Sequence, residues 1–350
     1  MWSLFLESLH NITFTGADGK QDRLSSHLVA VVMAPPNANA DACQRASGHR
    51  GVRCAPMHSS WFQQEIYFKS PAWAALSYAK ISSLLAALSL GVDVLFLDSD
   101  QVFFKNPLPY LLARDADVLV TGDCWARDDT VPLGQLPPYP NNIGFVYARS
   151  KPMSVRMAAN WLATLVLQAR SSGGGGGRKK GGGEDSQEDR AGGDRETDGG
   201  EAGEEDAEGE GEGGRRSLKG RSKKKKKKKY DQGTFKLFFE ELHESLGEET
   251  VKYLSISMLS GDVFPHACSG PCGCNTTGLE PGAKAVQRSE RRADGTCDPQ
   301  LMRTWYHFHK PCDTDPASKV AFLRELLHMY QRLVGPVNAL SEPVRVIGGT

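Results

Sequence analysis

The chain has 350 residues with 42 Lys+Arg against 42 Asp+Glu, but residues 171–229 hold 16 of those basic and 14 of those acidic side chains together with 18 of the 37 glycines. That segment has no aromatic residue and four hydrophobics, too little apolar surface to fold by itself, so the neutral total describes a slightly acidic globular part of 26 basic and 28 acidic residues and says nothing about partners. No apolar run reaches the roughly 18 residues that a membrane-spanning helix requires.

In chain order, the first apolar stretch, WSLFLESLHN, is broken by Glu7 and His10 and lacks a basic lead-in, so it is not a secretory signal. Residues 28–33 (LVAVVM) form a continuously apolar run stopped by Pro35-Pro36, the pattern of a strand covered on both faces. Cys43 and Cys54 are close enough in sequence to form a local bridge. Ser70 then caps a predicted helix with Pro71 in its first turn and Ile81, Leu84, Leu85 and Leu88 at helical spacing, ended by Gly91. Three further strands are predicted at 92–97, 117–121 and 143–148, and another helix at 153–168.

After the Gly/acidic/Lys segment, Asp231 can cap a helix carrying Phe235, Phe238, Phe239 and Leu242. A last amphipathic helix is predicted over 316–333 from Leu323, Leu326, Leu327 and Tyr330. This alternation predicts an α/β fold with an open, mostly parallel sheet flanked by helices, in which ligands bind at the carboxyl ends of the strands. Because helical periodicity resumes after it, 171–229 is expected to be a disordered loop expansion inside one domain formed by 1–170 and 230–350. Closure entropy rises only logarithmically with loop length, which makes such an insertion tolerable.

The stretch GVDVLFLDSDQVFFKNP (91–107) carries the chemistry. A buried strand delivers Asp98 and Asp100 to its carboxyl end, and i, i+2 side chains of extended backbone project to one side. Two hard carboxylates there can bind Mg²⁺ or Mn²⁺ together with diphosphate oxygens. Two enzyme classes use such a strand end. A haloacid-dehalogenase-type phosphatase would use Asp98 as nucleophile within Asp98-Ser-Asp100-Gln-Val102, but its later acidic pair is missing, since Gly261-Asp262 lacks a second acid. A transferase of the GT-A fold would use both carboxylates to hold the metal on a nucleotide sugar. A third reading, nucleic-acid binding through the run from Lys223 to Lys229, is weakened by seven acids in residues 201–212 that can neutralise it.

The order of the motifs resembles the nucleotide-diphospho-sugar transferase family, which includes plant and algal arabinosyl-, xylosyl- and galactosyltransferases of cell-wall glycans. The blocks are the helix with Lys80, GVDVLFLDSDQVFFKNP, ADVLVTGD ending at Asp123, and Asn142-Ile-Gly144-Phe-Val-Tyr-Ala-Arg149. They continue with Asp231-Gln232-Gly-Thr-Phe, Leu259-Ser-Gly261-Asp-Val-Phe264, and His307-x-His309 with Lys319.

The resemblance implies that Asp98 and Asp100 hold Mn²⁺ or Mg²⁺ and that His307 or His309 completes the shell, with His307 preferred as the residue at a strand end. It implies that Lys319, or second to it Lys310, neutralises the departing diphosphate. Asn142 and Gly144 would lie against the donor sugar, Asp123, Asp231 and Gln232 would hold sugar hydroxyls, and Lys80 would line the donor site. The implied reaction transfers a sugar from a UDP-sugar to a glycan or glycoprotein acceptor with retention of configuration.

The implied location is the Golgi lumen, with membrane attachment only through an anchor lying before Met1, where a first strand is also expected; the chain is therefore expected to be truncated. In that setting Cys268, Cys272 and Cys274 beside His266 are expected in disulfides rather than in a zinc site. The sequons Asn11-Ile12-Thr13 and Asn275-Thr276-Thr277 gain meaning only in a secretory lumen.

Overall fold

The computed structural model describes residues 1–16, 18–34, 38–48, 51–58, 71–122, 142–173, 234–235, 237–238, 253–266, 270–275, 278–280, 289–311 and 315–338. The chain divides into two units, Met1–Ser171 with Lys228–Thr350, and Ser172–Lys227. Among the described residues, the strands lie in the first unit.

The strands, in chain order, are β1 (Thr13–Thr15), β2 (Gln21–Arg23), β3 (Val29–Ala34), β4 (Arg53–His58), β5 (Val94–Leu97), β6 (Gln101–Phe103), β7 (Val118–Thr121), β8 (Asn142–Ala148), β9 (Ile256–Leu259) and β10 (His307–His309). The helices are α1 (Trp2–His10), α2 (Asn39–Ser47), α3 (Pro71–Ser89), α4 (Leu108–Leu112), α5 (Pro152–Gly173), α6 (Pro299–Thr304) and α7 (Pro316–Leu333). The fold is α/β, as expected. The central sheet has the order β5-β8-β7-β9, and smaller sheets pair β3 with β4, β6 with β10 and β1 with β2. Parallel pairing holds for β3–β4 and β7–β9, whereas β8 runs antiparallel to both its neighbours, so the central sheet is mixed.

Strict alternation along the strands explains why they read as continuously apolar. Val118, Val120, Val146 and Ala148 pack with Ile81, Leu84 and Leu88 of α3 and with Met157, Trp161 and Leu165 of α5 on one face. Leu119, Phe145 and Tyr147 turn to the other face, where Phe5 and Leu9 of α1, Phe103 and Phe264 lie. Both faces of the central sheet are therefore covered, and the polar residues its strands carry, Thr121, Asn142 and Ser257, are themselves buried.

Helix α3 fits against two sheets because its sides differ in size. Ala75 and Ala79 lie against Met33 of β3 and Met57 of β4, while the Ile81–Leu84–Leu88 stripe faces the central sheet. Gly91, at φ +78°, ends it in the left-handed region, where a side chain would be strained, and turns the chain into β5. Downstream of the insert, Phe235 packs on Trp161 at a ring-centroid distance of 4.6 Å, and Trp161 donates its indole N–H to Thr234 Oγ1. Residues 234–238 thereby return to the core that α5 leaves.

A third cluster gathers Val102 and Phe104, the Cys272–Cys297 disulfide, Trp305, Phe308 and the apolar face of α7. Asp315 caps α7 by accepting hydrogen bonds from the Ala317 and Ser318 N–H groups. Cys43 and Cys54 are bridged, tying α2 to β4, and Cys274 is also in a disulfide. Cys272 and Cys274 therefore offer no thiolates for zinc. No helix among the described residues is long and apolar enough to cross a membrane.

Tyr330 of α7 stacks on Phe104 at 4.3 Å, and its hydroxyl is buried with no hydrogen-bond partner among the described residues. Burial pushes its ionisation up to about 12. Below about pH 10, the usual tyrosine value, both folded and unfolded chains hold a neutral phenol. Between about 10 and 12 the unfolded chain ionises first, so stability falls as pH rises. Tyr330→Phe keeps the stack and removes the ionisable group. Followed by circular dichroism, it is expected to unfold at a higher pH than wild type, and equal alkaline midpoints would contradict this.

Candidate metal centre

The site forms where β5 ends and β6 begins. Asp98 leaves β5 with its N–H donated to the Gly144 carbonyl at 2.8 Å, and residues 98–100 turn the chain into β6. Strand β10 pairs with β6 in the register His309↔Gln101, which sets the His309 ring beside Asp100. The His309 N–H is donated to the Pro265 carbonyl and the Lys310 N–H to the Asp100 carbonyl, so the last residue of β10 is tied on both sides.

One ligand atom from each of Asp98, Asp100 and His309 can lie within 4.8 Å of the others. Lys80 of α3 reaches Asp98 Oδ1 at 2.8 Å and Oδ2 at 3.0 Å. Lys319, in the first turn of α7, donates to Asp100 Oδ2 at 2.8 Å, and His309 Nε2 meets Asp100 Oδ1 at 3.0 Å. Exposure rises from 3% for the His309 side chain through 16% for Asp100 to 36% for Asp98, so the open side of the cluster is the Asp98 side.

Burial alone would raise the pKa of Asp100, but the hydrogen bond and charge of His309 and the Lys319 ammonium overcome it and hold the carboxyl well below the usual carboxylate range. Asp100 is therefore an anion at neutral pH. Two carboxylates and two ammonium groups cancel, so adding a divalent cation leaves the site with a surplus of two positive charges, which matches a diphosphate. Two carboxylate oxygens and one imidazole nitrogen suit Mn²⁺, with Mg²⁺ as the harder alternative.

Gly144 makes room for the cluster. A Cβ there would lie 2.3 Å from His309 Cε1, 2.9 Å from Asp98 Oδ2 and 3.0 Å from Asn142 Oδ1. The pairing of β7 with β8 shifts register between Val120 and Thr121, an irregularity of the kind that re-aims side chains near functional sites. Asn142 Oδ1 accepts the Gly144 N–H at 2.8 Å, and the buried Gln101 side chain donates Nε2 to the Gly144 carbonyl. Gln101 was not among the residues singled out from the sequence; the only signal for it is its position directly after Asp100.

His307 lies deeper on the same face of β10. Its ring meets Phe103, Phe145 and Phe264 edge-on at 5.6, 4.7 and 5.3 Å, and neither ring nitrogen has a hydrogen-bond partner among the described residues. Burial, then the neighbouring His309 and His266, keep it neutral by pushing its pKa well below the usual histidine value. The structure thus brings His309, and not the preferred His307, to the two aspartates, because an aromatic floor encloses His307 two residues away. Lys310 points elsewhere, its ammonium resting 4.8 Å from the Phe322 ring centroid. Asp123, Asp231 and Gln232 lie outside the described residues, as does the run from Lys223 to Lys229.

Strands β5, β7 and β8 and the carboxylate pair lie within residues 30–172, which match the family model described as nucleotide-diphospho-sugar transferase. The match contains Lys80, Asp98, Asp100, Asn142 and Gly144, and it agrees with the resemblance read from the order of the motifs over that part of the chain. Among named proteins, Arabinosyltransferase XEG113 of Arabidopsis thaliana is 30% identical over 122 residues, 33% of this chain and 19% of that protein. The matched segment is thus about a fifth of the relative's length.

Proposed function

We propose that this chain is the catalytic part of a metal-dependent glycosyltransferase, moving a sugar from a UDP-sugar to a cell-wall polysaccharide or glycoprotein acceptor with retention of configuration. The observation that carries the reading is the convergence of Asp98, Asp100 and His309 between Lys80 and Lys319, beside a glycine at which a Cβ would crowd His309 and Asp98. The family match and the arabinosyltransferase likeness support it.

Asp98, Asp100 and His309 would hold Mn²⁺ or Mg²⁺, which when bound supplies Lewis-acid stabilisation of the departing diphosphate. Lys319 and Lys80 stand ready to exchange their carboxylate partners for diphosphate oxygens as negative charge develops there. Asn142 and Gly144 form the wall against which the donor sugar would rest, and Asp123, Asp231 and Gln232 are assigned to its hydroxyls. We take residues 1–170 and 230–350 as one transferase domain with 171–229 inserted. The disulfides agree with an oxidising compartment, for which the Golgi lumen is proposed.

The test is a scan of UDP-sugars for Mn²⁺-dependent hydrolysis or transfer. Turnover of at least one donor, lost on chelation and restored by Mn²⁺, is the expected result. Mg²⁺-dependent phosphate release from p-nitrophenyl phosphate with no affinity for UDP would replace the transferase reading with the phosphatase one.

A further inference from the structure

We propose that Asn11 is an N-glycosylation acceptor, modified by an oligosaccharide taken from a lipid-diphosphate donor. The proposal shares with the proposed function only the luminal compartment and is independent of the transferase chemistry. Its basis is how the fold presents Asn11-Ile12-Thr13.

Asn11 follows the last residue of α1 as its C-cap at φ −76° and ψ −11°, with its backbone N–H bonded to the Glu7 carbonyl. The residue is exposed, and its side-chain amide makes no hydrogen bond among the described residues. Ile12 is fully buried, and its backbone is held by Leu9 and Leu24. The adjacent inward residue therefore fixes the chain so that the Asn11 amide faces outward. The buried face of α1, with Leu4, Phe5, Leu6 and Leu9, is spent on the core, so a glycan at Asn11 displaces none of that packing. Asn338 holds the start of β1 by donating Nδ2 to the Thr13 carbonyl at 2.8 Å, leaving the segment ordered around an accessible acceptor.

The second observation is redox state. Cys43–Cys54, Cys272–Cys297 and the disulfide of Cys274 fit an oxidising compartment. In eukaryotes that compartment is also the one in which sequon asparagines are modified. In the transfer, a bond forms between Asn11 Nδ2 and the anomeric carbon while the bond from that carbon to the lipid diphosphate breaks. The diphosphate leaves with the electron pair, the amide loses one proton, and nothing is oxidised or reduced.

The experiment translates the full chain behind a cleavable signal peptide in the presence of microsomes and reads only protein protected from added protease. The expected result is a mass gain removed by peptide N-glycosidase, with loss of one glycan in Asn11→Gln and in Thr13→Ala but not in Thr13→Ser. Asn275→Gln accounts for any glycan on the second sequon and leaves the Asn11 glycan in place. Peptide mass spectrometry of the deglycosylated chain should find aspartate carrying heavy oxygen at position 11 when release is done in labelled water. Protected, disulfide-bonded chain with an unmodified Asn11 peptide would overturn the proposal, whatever the outcome of the donor scan.

Discussion

Asp98→Ala/Asp100→Ala is expected to lose Mn²⁺ binding, read by the spectrum of free Mn²⁺, and to lower kcat/KM for the donor by about a thousandfold. That factor corresponds to about 4 kcal/mol of transition-state stabilisation, the several kcal/mol typical of a metal acting on a developing anion. The double variant removes the carboxylate partners of Lys80 and Lys319, whose side chains are 13% and 12% exposed, so some stability is lost as well. Asp98→Asn/Asp100→Asn separates the two effects, because the amide oxygens still accept from the lysines while the charge for the metal is gone. Affinity for UDP without metal should persist in both variants, since the two ammonium charges remain while the two carboxylate charges that would repel phosphate are gone. Turnover at the wild-type rate in the double variant would remove the metal assignment.

Gly144→Ala is the second large effect. The added methyl would stand 2.3 Å from His309 Cε1 and 2.9 Å from Asp98 Oδ2, inside any permissible contact. Two of the three ligand side chains must then move, although no ligand has been changed. The backbone cannot yield easily, because the Gly144 carbonyl accepts from Asp98 N and Gln101 Nε2 and its N–H is held by Asn142. Mn²⁺ affinity is expected to fall about 10- to 100-fold, the usual cost of disturbing the groups that orient metal ligands. The folded state should lose about 1–3 kcal/mol from overpacking, read as a lower Tm. A Gly144→Ala chain that binds Mn²⁺ as tightly as wild type would show that His309 and Asp98 do not share the ion.

Much of the architecture was legible because both faces of the central sheet are buried. The runs that became β5, β7 and β8 are polar only at Thr121 and Asn142, where β7 ends and β8 begins, and the 3.6-residue repeats of α3 and α7 matched those helices closely. Elements that went unassigned are short or lack a periodic signal, among them α1, whose polar residues interrupt the apolar run, the hairpin β1–β2, and β9, four residues long with Ser257 between its apolar ones. The mixed pairing of β8 was equally hidden, since a strand buried on both sides reads the same in either direction.

For the site, local sequence showed the carboxylate pair directly after an apolar strand, but residues 98–100 leave that strand and turn into β6, so the two acids are held by the turn and by Lys80, Lys319 and His309 rather than by extended-strand alternation. The spacing of Gly144 behind Asn142 was likewise readable as a close approach. The choice between His307 and His309 was not, since residues two apart on a strand share a face and both point the same way. Only the pairing of β10 with β6, opposite Gln101 and Phe103, puts His309 beside Asp100 and His307 against aromatic rings. Lys319 likewise could be told from Lys310 only once α7 was docked, 219 residues along the chain from the aspartate it meets. A single chain segment specifies which groups it carries and on which face. Which of them meet across such sequence distances is set by register and packing, and these exist only in the tertiary structure.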